Sequence, residues 1–300
     1  MSHVQVRSAD AGPSAFKVTP RTLLEKKSRH EPITALTAYD YPTARLVDEA
    51  GIDVILVGDS LAMTVLGHEN TLSLTVEEML HHARAVRRGV RRAFLVVDMP
   101  YGSYHLSTEA TLGNALSLIK QGGAEAVKIE GGVRRASLVE ELTAAEIPVV
   151  GHIGLTPQSV LQMGGYRVQG RSIPEIEGLL ADAAALEEAG AVALVLEGIP
   201  RELAEQITAA AKIPTIGIGA GPGCDGQILV FHDAFGLTFS PSAKFVRNFG
   251  DGSGLLREGI EQFKEAVIAR RFPSDAESYH LPREIASSIH VSTAPVSLAS

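Results

Sequence analysis

The sequence predicts a single-domain (β/α)8 barrel, and three observations point to it. Short apolar runs alternate with helical patterns about eight times along the chain, as successive βα units do. The apolar runs lack polar alternation, as expected of strands covered on both faces in a parallel sheet. Three segments, EAGIDVILVGD, QGGAEAVKIEG and EAGAVALVLEG, also repeat one unit: a helix-ending glycine, a strand, and an acid seven or eight residues after the glycine.

Taken in order, ITALTAYD reads as the first strand and YPTARLVDEAG as its helix, with Pro42 in the first turn and Gly51 at the C-terminus. VILVGDS is the second strand. Thr75 and Glu78 have capping-box spacing and open VEEMLHHARAVRRG, which Gly89 is expected to close. Strands follow at FLVVDMP, AVKIEG, PVVGHIGL, LVLEGI and TIGIGA, with an eighth placed in QILVFHDAFG. Helices at EATLGNALSLIKQGG, RRASLVEELTAAE, IPEIEGLLADAAALEEAG and RELAEQITAAAK separate them. The expected domain plan is a flexible arm over 1–16, the barrel over 17–272 and a C-terminal extension over 273–300.

Composition bounds the function. The 300 residues are 45% apolar and 21% charged, ordinary for a globular protein with a large core. A net charge of −8 without a basic run argues against nucleic acid as a partner. No stretch approaches the roughly 18 apolar residues of a membrane span, and no signal-peptide core is seen. The single cysteine, Cys224, excludes an intrachain disulfide framework and fits a reducing, cytoplasmic setting.

In barrels of this kind the active site lies at the C-terminal ends of the strands. Asp40, Asp59, Asp98, Glu130, His152 and Glu197 all fall at predicted strand ends. Any one acid there has a bland reading as a helix N-cap. Many together repel one another unless a cation sits among them. Hard oxygen donors with few histidines favour Mg²⁺ over Zn²⁺. Asp59 and Asp98, short and on adjacent strands, suit direct ligation, and Glu130 suits ligation directly or through water. Lys128 and Glu130 lie two residues apart on one strand and share a face, about 7 Å apart. Lys128 is then either a fixed positive charge for an anionic substrate or a structural salt-bridge partner.

The ordered motifs ITALTAYD, VGDSLAMTVLGHENT, VKIEGG, GHIGLTPQSVLQMGGYRVQGR, LVLEGIP and IPTIGIGAGPGCDGQILVFHDAFG resemble those of the ketopantoate hydroxymethyltransferase family, over about residues 16 to 270. That family belongs to the phosphoenolpyruvate mutase and isocitrate lyase barrel superfamily. The resemblance implies hydroxymethyl transfer from 5,10-methylenetetrahydrofolate to 3-methyl-2-oxobutanoate, giving 2-dehydropantoate, with Mg²⁺ present. It implies Asp59, Asp98 and Glu130 at the metal. Asp59, Ser60, Asp98 and Lys128 are implied at the oxoacid, and Glu197 as proton acceptor. It also implies a homo-oligomer, commonly a decamer. Two departures from the family's usual wording, DMPY for DLPF and Ala243 before Lys244, leave Asp98 and Lys244 in place.

A 2-oxoacid that chelates Mg²⁺ becomes more acidic at C3, and Glu197 across the mouth is placed to take that proton. His152 is either an orienting group or a hydrogen-bonded structural histidine. Gly221, Gly223 and Gly226 fit G-x-G-x-x-G, but in the seventh unit rather than the first. No acid lies about 20 residues on, near Val246, so a dinucleotide site is excluded. Space for a pterin or tight backbone packing would each explain these glycines. The rival readings are a Mg²⁺-dependent carbon–carbon lyase, which would need a cysteine placed differently from Cys224, and a silent barrel, which would not need the intact acids.

Overall fold

Eight parallel strands, each paired with its sequence neighbours, close into one barrel in the computed structural model, which describes residues 16–239 and 241–288. They are β1 (Ile33–Thr37), β2 (Val54–Val57), β3 (Phe94–Asp98), β4 (Ala126–Glu130), β5 (Val149–Gly154), β6 (Ala193–Glu197), β7 (Thr215–Ile218) and β8 (Gly226–Leu229). β8 returns to pair with β1, which leaves no open sheet edge. The expected barrel, with a strand in every predicted run, is what forms. All of it lies in a compact unit ending at Gly250. A second unit begins at Asp251 and contains the helix Gly252–Ile268. Most of the expected N-terminal arm and the last twelve residues of the expected extension lie outside the described residues.

Strand alternation divides the core in two. Ile33, Ala35, Val54, Leu56, Phe94 and Val96 face inward and fill the barrel, together with Val18 and Leu23 from the chain before β1. Ile55, Val57, Leu95, Val97, Val127 and Ile129 face outward and pack beneath the helices. The helix Pro20–Ser28 is not among the expected elements. Thr19 caps it, Pro20 occupies its first turn, and Leu23 inserts into the interior cluster. Among the described residues the inward stripe turns polar at the opposite, C-terminal end of the barrel, at Lys128, Asp98 and Glu130.

One expectation about glycine is corrected, and one left open is decided. Gly89 does not close its helix, which runs from Val76 through Gly89 to a C-cap at Val90. Its role is contact, since a Cβ there would lie 2.8 Å from the backbone of both Tyr41 and Arg45 on the helix Tyr41–Glu49. The glycine loop 219–225 is a crossover: it joins β7 to β8 with no helix between them. Parallel strands normally take a dozen or more residues to connect. Here the chain passes so tightly over the barrel wall that a Cβ at Gly221 or Gly223 would collide with Arg201 or Glu205. Tight packing therefore accounts for the glycines. Cys224 closes this crossover just before β8, at the end of the barrel away from the mouth, and burial pushes its thiol pKa up. A lyase-type nucleophile there is excluded.

The lower rim carries its own ion cluster. Asp53, 2% exposed, receives Lys26 Nζ at 2.5 Å, Arg92 Nη2 at 3.0 Å and the Thr34 amide at 3.0 Å. Burial raises its pKa, but these partners outweigh that and hold the carboxyl below the usual range. A depressed folded pKa contributes stability that is present above the unfolded value, about 3.9, and is lost as pH falls through the folded one. Asp53→Asn is therefore expected to cost about 1.5–3 kcal/mol at pH 7, the worth of hydrogen bonds to a charged group. In chemical denaturation the gap between variant and wild type should narrow below about pH 4. A gap independent of pH would show that packing, not charge, is what Asp53 supplies.

Candidate active site

Register explains why distant residues meet at the mouth. Asp98 on β3 stands opposite Lys128 on β4, Glu130 on β4 opposite His152 on β5, and Gly154 on β5 opposite Glu197 on β6. Each pair points the same way because paired positions in a parallel sheet share a face. The result is a spiral of charge around the mouth. Asp98 Oδ1 lies 3.2 Å from Lys128 Nζ, which lies 3.1 Å from His152 Nδ1. His152 Nδ1 lies 3.4 Å from Glu130 Oε1, and its Nε2 3.2 Å from Glu197 Oε2.

Asp59 enters from the loop after β2. Its backbone N–H donates to Asp98 Oδ2 at 3.0 Å, which ties the ends of β2 and β3 together. Ser60 starts the short helix Leu61–Thr64, and its hydroxyl lies 2.7 Å from Tyr39 Oη. The structure thus brings Asp59, Ser60, Asp98, Lys128, Glu130, His152 and Glu197 to one cavity of about 170 Å³. Asp40 is the exception among the predicted strand-end acids. It is exposed and caps the helix Tyr41–Glu49 by accepting from the Thr43 amide at 2.8 Å, which is the bland role.

The electrostatics are those of a site with too many acids. Burial, then the charges of Asp98 and Glu130, push the Asp59 pKa well above the usual carboxylate range. Burial also raises Asp98. Burial works against Lys128, but Asp98, Glu130 and Asp59 outweigh it, so the ammonium holds its proton more tightly than in water. Glu130 is buried too, yet His152, Lys128 and the Gln158 amide hold it below the usual range. Burial and Lys128 lower His152, while Glu130 and Glu197 lift it to about 9. The 3.1 Å contact from Lys128 Nζ needs the reverse, an Nδ1 without a proton. Positive charge added among the acids would remove the pull that raises the ring, leaving the Lys128 contact to set its state. The neutral tautomer then carries its proton on Nε2, facing Glu197.

Two buried acceptors, Asp98 Oδ1 and Glu130 Oε1, have no hydrogen bond; the first faces the Lys128 ammonium and the second faces His152 Nδ1. Buried lone pairs are costly to leave free. Together with the raised Asp59, they fit a site that receives a hard cation. Among the described residues, no three His, Cys, Asp or Glu side chains form a closed metal-binding set. Mg²⁺ takes one or two carboxylates and completes its shell with water and substrate oxygens.

Two residues at the mouth went unassigned in the sequence. Gln158, on the turn Pro157–Ser159 after β5, and Tyr104, after β3, are both buried and hydrogen-bonded to each other. The available signal was position alone: Gln158 lies four residues beyond the end of β5, where βα loops build sites.

Comparison with known proteins decides the family. The profile described as Ketopantoate hydroxymethyltransferase matches residues 17–275. The chain belongs to that family. A 3-methyl-2-oxobutanoate hydroxymethyltransferase of Koribacter versatilis (strain Ellin345) is 64% identical over 277 residues, covering 92% of this chain and 94% of that protein. The enzyme of the same name from Thermoanaerobacter sp. (strain X514) is 52% identical over 267 residues, covering 89% and 97%. Among solved structures, phosphoenolpyruvate phosphomutase from Streptomyces platensis subsp. rosaceus aligns with a TM-score of 0.57 at 14% identity, covering 90% of this chain and 94% of that one. 2,3-Dimethylmalate lyase, described as a PEP mutase/isocitrate lyase superfamily member, aligns at 0.54 and 18%, covering 90% and 93%. At such identities these two structures speak for the barrel alone. No helix among the described residues is long and apolar enough to cross a membrane.

Proposed function

We propose that this ketopantoate hydroxymethyltransferase family member deprotonates 3-methyl-2-oxobutanoate at C3 and joins that carbon to the one-carbon unit of 5,10-methylenetetrahydrofolate. With one water consumed, the products are 2-dehydropantoate and tetrahydrofolate. The observation that carries this is the placing of Glu197 on β6, across one small cavity from Asp98 and Lys128 on β3 and β4. A proton acceptor and an anion-binding end thus face the same substrate from opposite sides.

Lys128, buried and held charged by the acids around it, binds the substrate carboxylate. Ser60, steadied by Tyr39, offers its hydroxyl to the same end. Glu197 Oε2 takes the C3 proton, and His152 Nε2 at 3.2 Å keeps that carboxylate turned toward the cavity. The side chain of Glu197 is 16% exposed, so the proton has a route back to solvent. Asp59 and Asp98, with Glu130 directly or through water, would hold Mg²⁺, which when bound supplies Lewis-acid withdrawal from the keto group. The proposal extends to a cytoplasmic homo-oligomer. The exposed apolar residues Leu256, Ile260 and Phe263 on the helix Gly252–Ile268 support such association.

The test is direct. The purified protein, incubated with both co-substrates and Mg²⁺, is expected to form 2-dehydropantoate, to stop on chelation and to resume when Mg²⁺ is restored. Folded protein that forms no product under these conditions would overturn the proposal.

A further inference from the structure

We infer that Gln158 is a positioning residue that presents two mouth carboxylates, Asp59 and Glu130, to a divalent cation, with Tyr104 acting through it; this rests on the metal role given to those acids above. Every polar group of Gln158 except its carbonyl is spent on this task. Its side-chain Nε2 donates to Asp59 Oδ2 at 2.8 Å and to the Met99 carbonyl at 3.0 Å. Its backbone N–H donates to Glu130 Oε2 at 2.9 Å. Its Oε1 accepts from Tyr104 Oη at 2.5 Å.

The amide orientation follows from these partners. A carbonyl can only accept, so the atom facing Met99 O must be the NH₂ group, which leaves Oε1 for the tyrosine hydroxyl. One residue from the β5 loop thereby reaches the ends of β2, β3 and β4. It takes one oxygen of each acid, Asp59 Oδ2 and Glu130 Oε2. The second oxygens are left over: among the described residues no donor hydrogen-bonds Glu130 Oε1, and none is found on Asp59 Oδ1. Holding one lone pair from behind fixes the carboxylate's rotation and aims the other. Gln158 is 5% exposed and Tyr104 3%, so water does not replace either bond cheaply. The Tyr104 ring is itself pinned by the Arg135 guanidinium, 5.0 Å from its centroid.

The full-chain enzyme without substrates is titrated with Mn²⁺ and followed by electron paramagnetic resonance, in wild type, Gln158→Met, Tyr104→Phe and the double variant. Methionine keeps the stem volume and leaves the backbone bond to Glu130 intact, so the loss falls on Asp59. Gln158→Met is expected to weaken Mn²⁺ binding about 10–100-fold, the usual cost of losing a ligand's hydrogen-bond support. Tyr104→Phe should weaken it less, and should have no further effect in the Gln158→Met background. Melting temperatures of the metal-free variants separate this from general loosening, and Tyr104→Phe keeps the test open if Gln158→Met fails to fold. The inference is overturned if Gln158→Met folds and binds Mn²⁺ within twofold of wild type. It is equally overturned if the Tyr104→Phe effect adds in full on Gln158→Met, or if Tyr104→Phe alone has no effect. Wild type that binds no Mn²⁺ would instead overturn the metal role itself.

Discussion

Glu197→Gln is expected to lower the rate of 2-dehydropantoate formation by about 10²–10⁴, the usual worth of a general base. The amide keeps the shape of the side chain beside His152 Nε2, which lies 3.2 Å from Oε2 in wild type. It cannot accept a proton. Glu197 lies at the end of β6, opposite Gly154, and makes no contact with Asp59, Asp98 or Lys128 among the hydrogen bonds and ion pairs of the mouth. Oxoacid binding and the melting temperature should therefore stay close to wild type, with the loss confined to kcat. Steady-state kinetics with varied oxoacid checks this. A variant that keeps the wild-type kcat would pass the base role to another group, His152 first.

Lys128→Met is expected to lose both stability and substrate affinity. Its ammonium is buried with Asp98, the two side chains 5% and 3% exposed. Removing one partner of such a pair typically costs about 3–5 kcal/mol, because the other charge is left uncompensated. Here the remaining acids, Asp98, Asp59 and Glu130, all lose the same neighbour. Chemical denaturation at neutral pH should show the loss, and the oxoacid KM should rise more than kcat falls, since the lysine contacts a carboxylate present before and during reaction. The sequence left a choice between a structural ion pair and an anion-binding charge. The geometry shows the ion pair, Lys128 Nζ to Asp98 Oδ1 at 3.2 Å, on a side chain that also lines the mouth cavity, which leaves room for the proposed second role. Wild-type stability with a raised KM would reduce it to the substrate role alone.

Much of this site was legible because strand ends are legible. The apolar runs marked the strands, and in a closed parallel barrel every strand end reaches one mouth, so Asp59, Asp98, Glu130, His152 and Glu197 were bound to converge. Position could not separate Asp40 from that group. It sits where the others sit, and only the turn of the next helix decides that its carboxylate caps Thr43 instead. The ion spiral itself was beyond reach, because it depends on register: Asp98 opposite Lys128, Glu130 opposite His152. Gln158 and Tyr104 are neutral or aromatic residues in loops without periodicity, and they gain meaning only from the partners that the fold supplies. The glycine crossover was legible in part: its place in the seventh unit ruled out a dinucleotide turn, but choosing tight packing needed the contacts of Gly221 and Gly223 in the fold.

Everything proposed for this mouth turns on Glu197 removing the C3 proton of the oxoacid. The most direct measurement follows the C3 hydrogen of 3-methyl-2-oxobutanoate by proton NMR in deuterated water, with Mg²⁺ and enzyme present and folate omitted. Wild type is expected to exchange that hydrogen catalytically, and Glu197→Gln to exchange it about 10²–10⁴ times more slowly while still binding the oxoacid. Exchange by Glu197→Gln at the wild-type rate would contradict the claim.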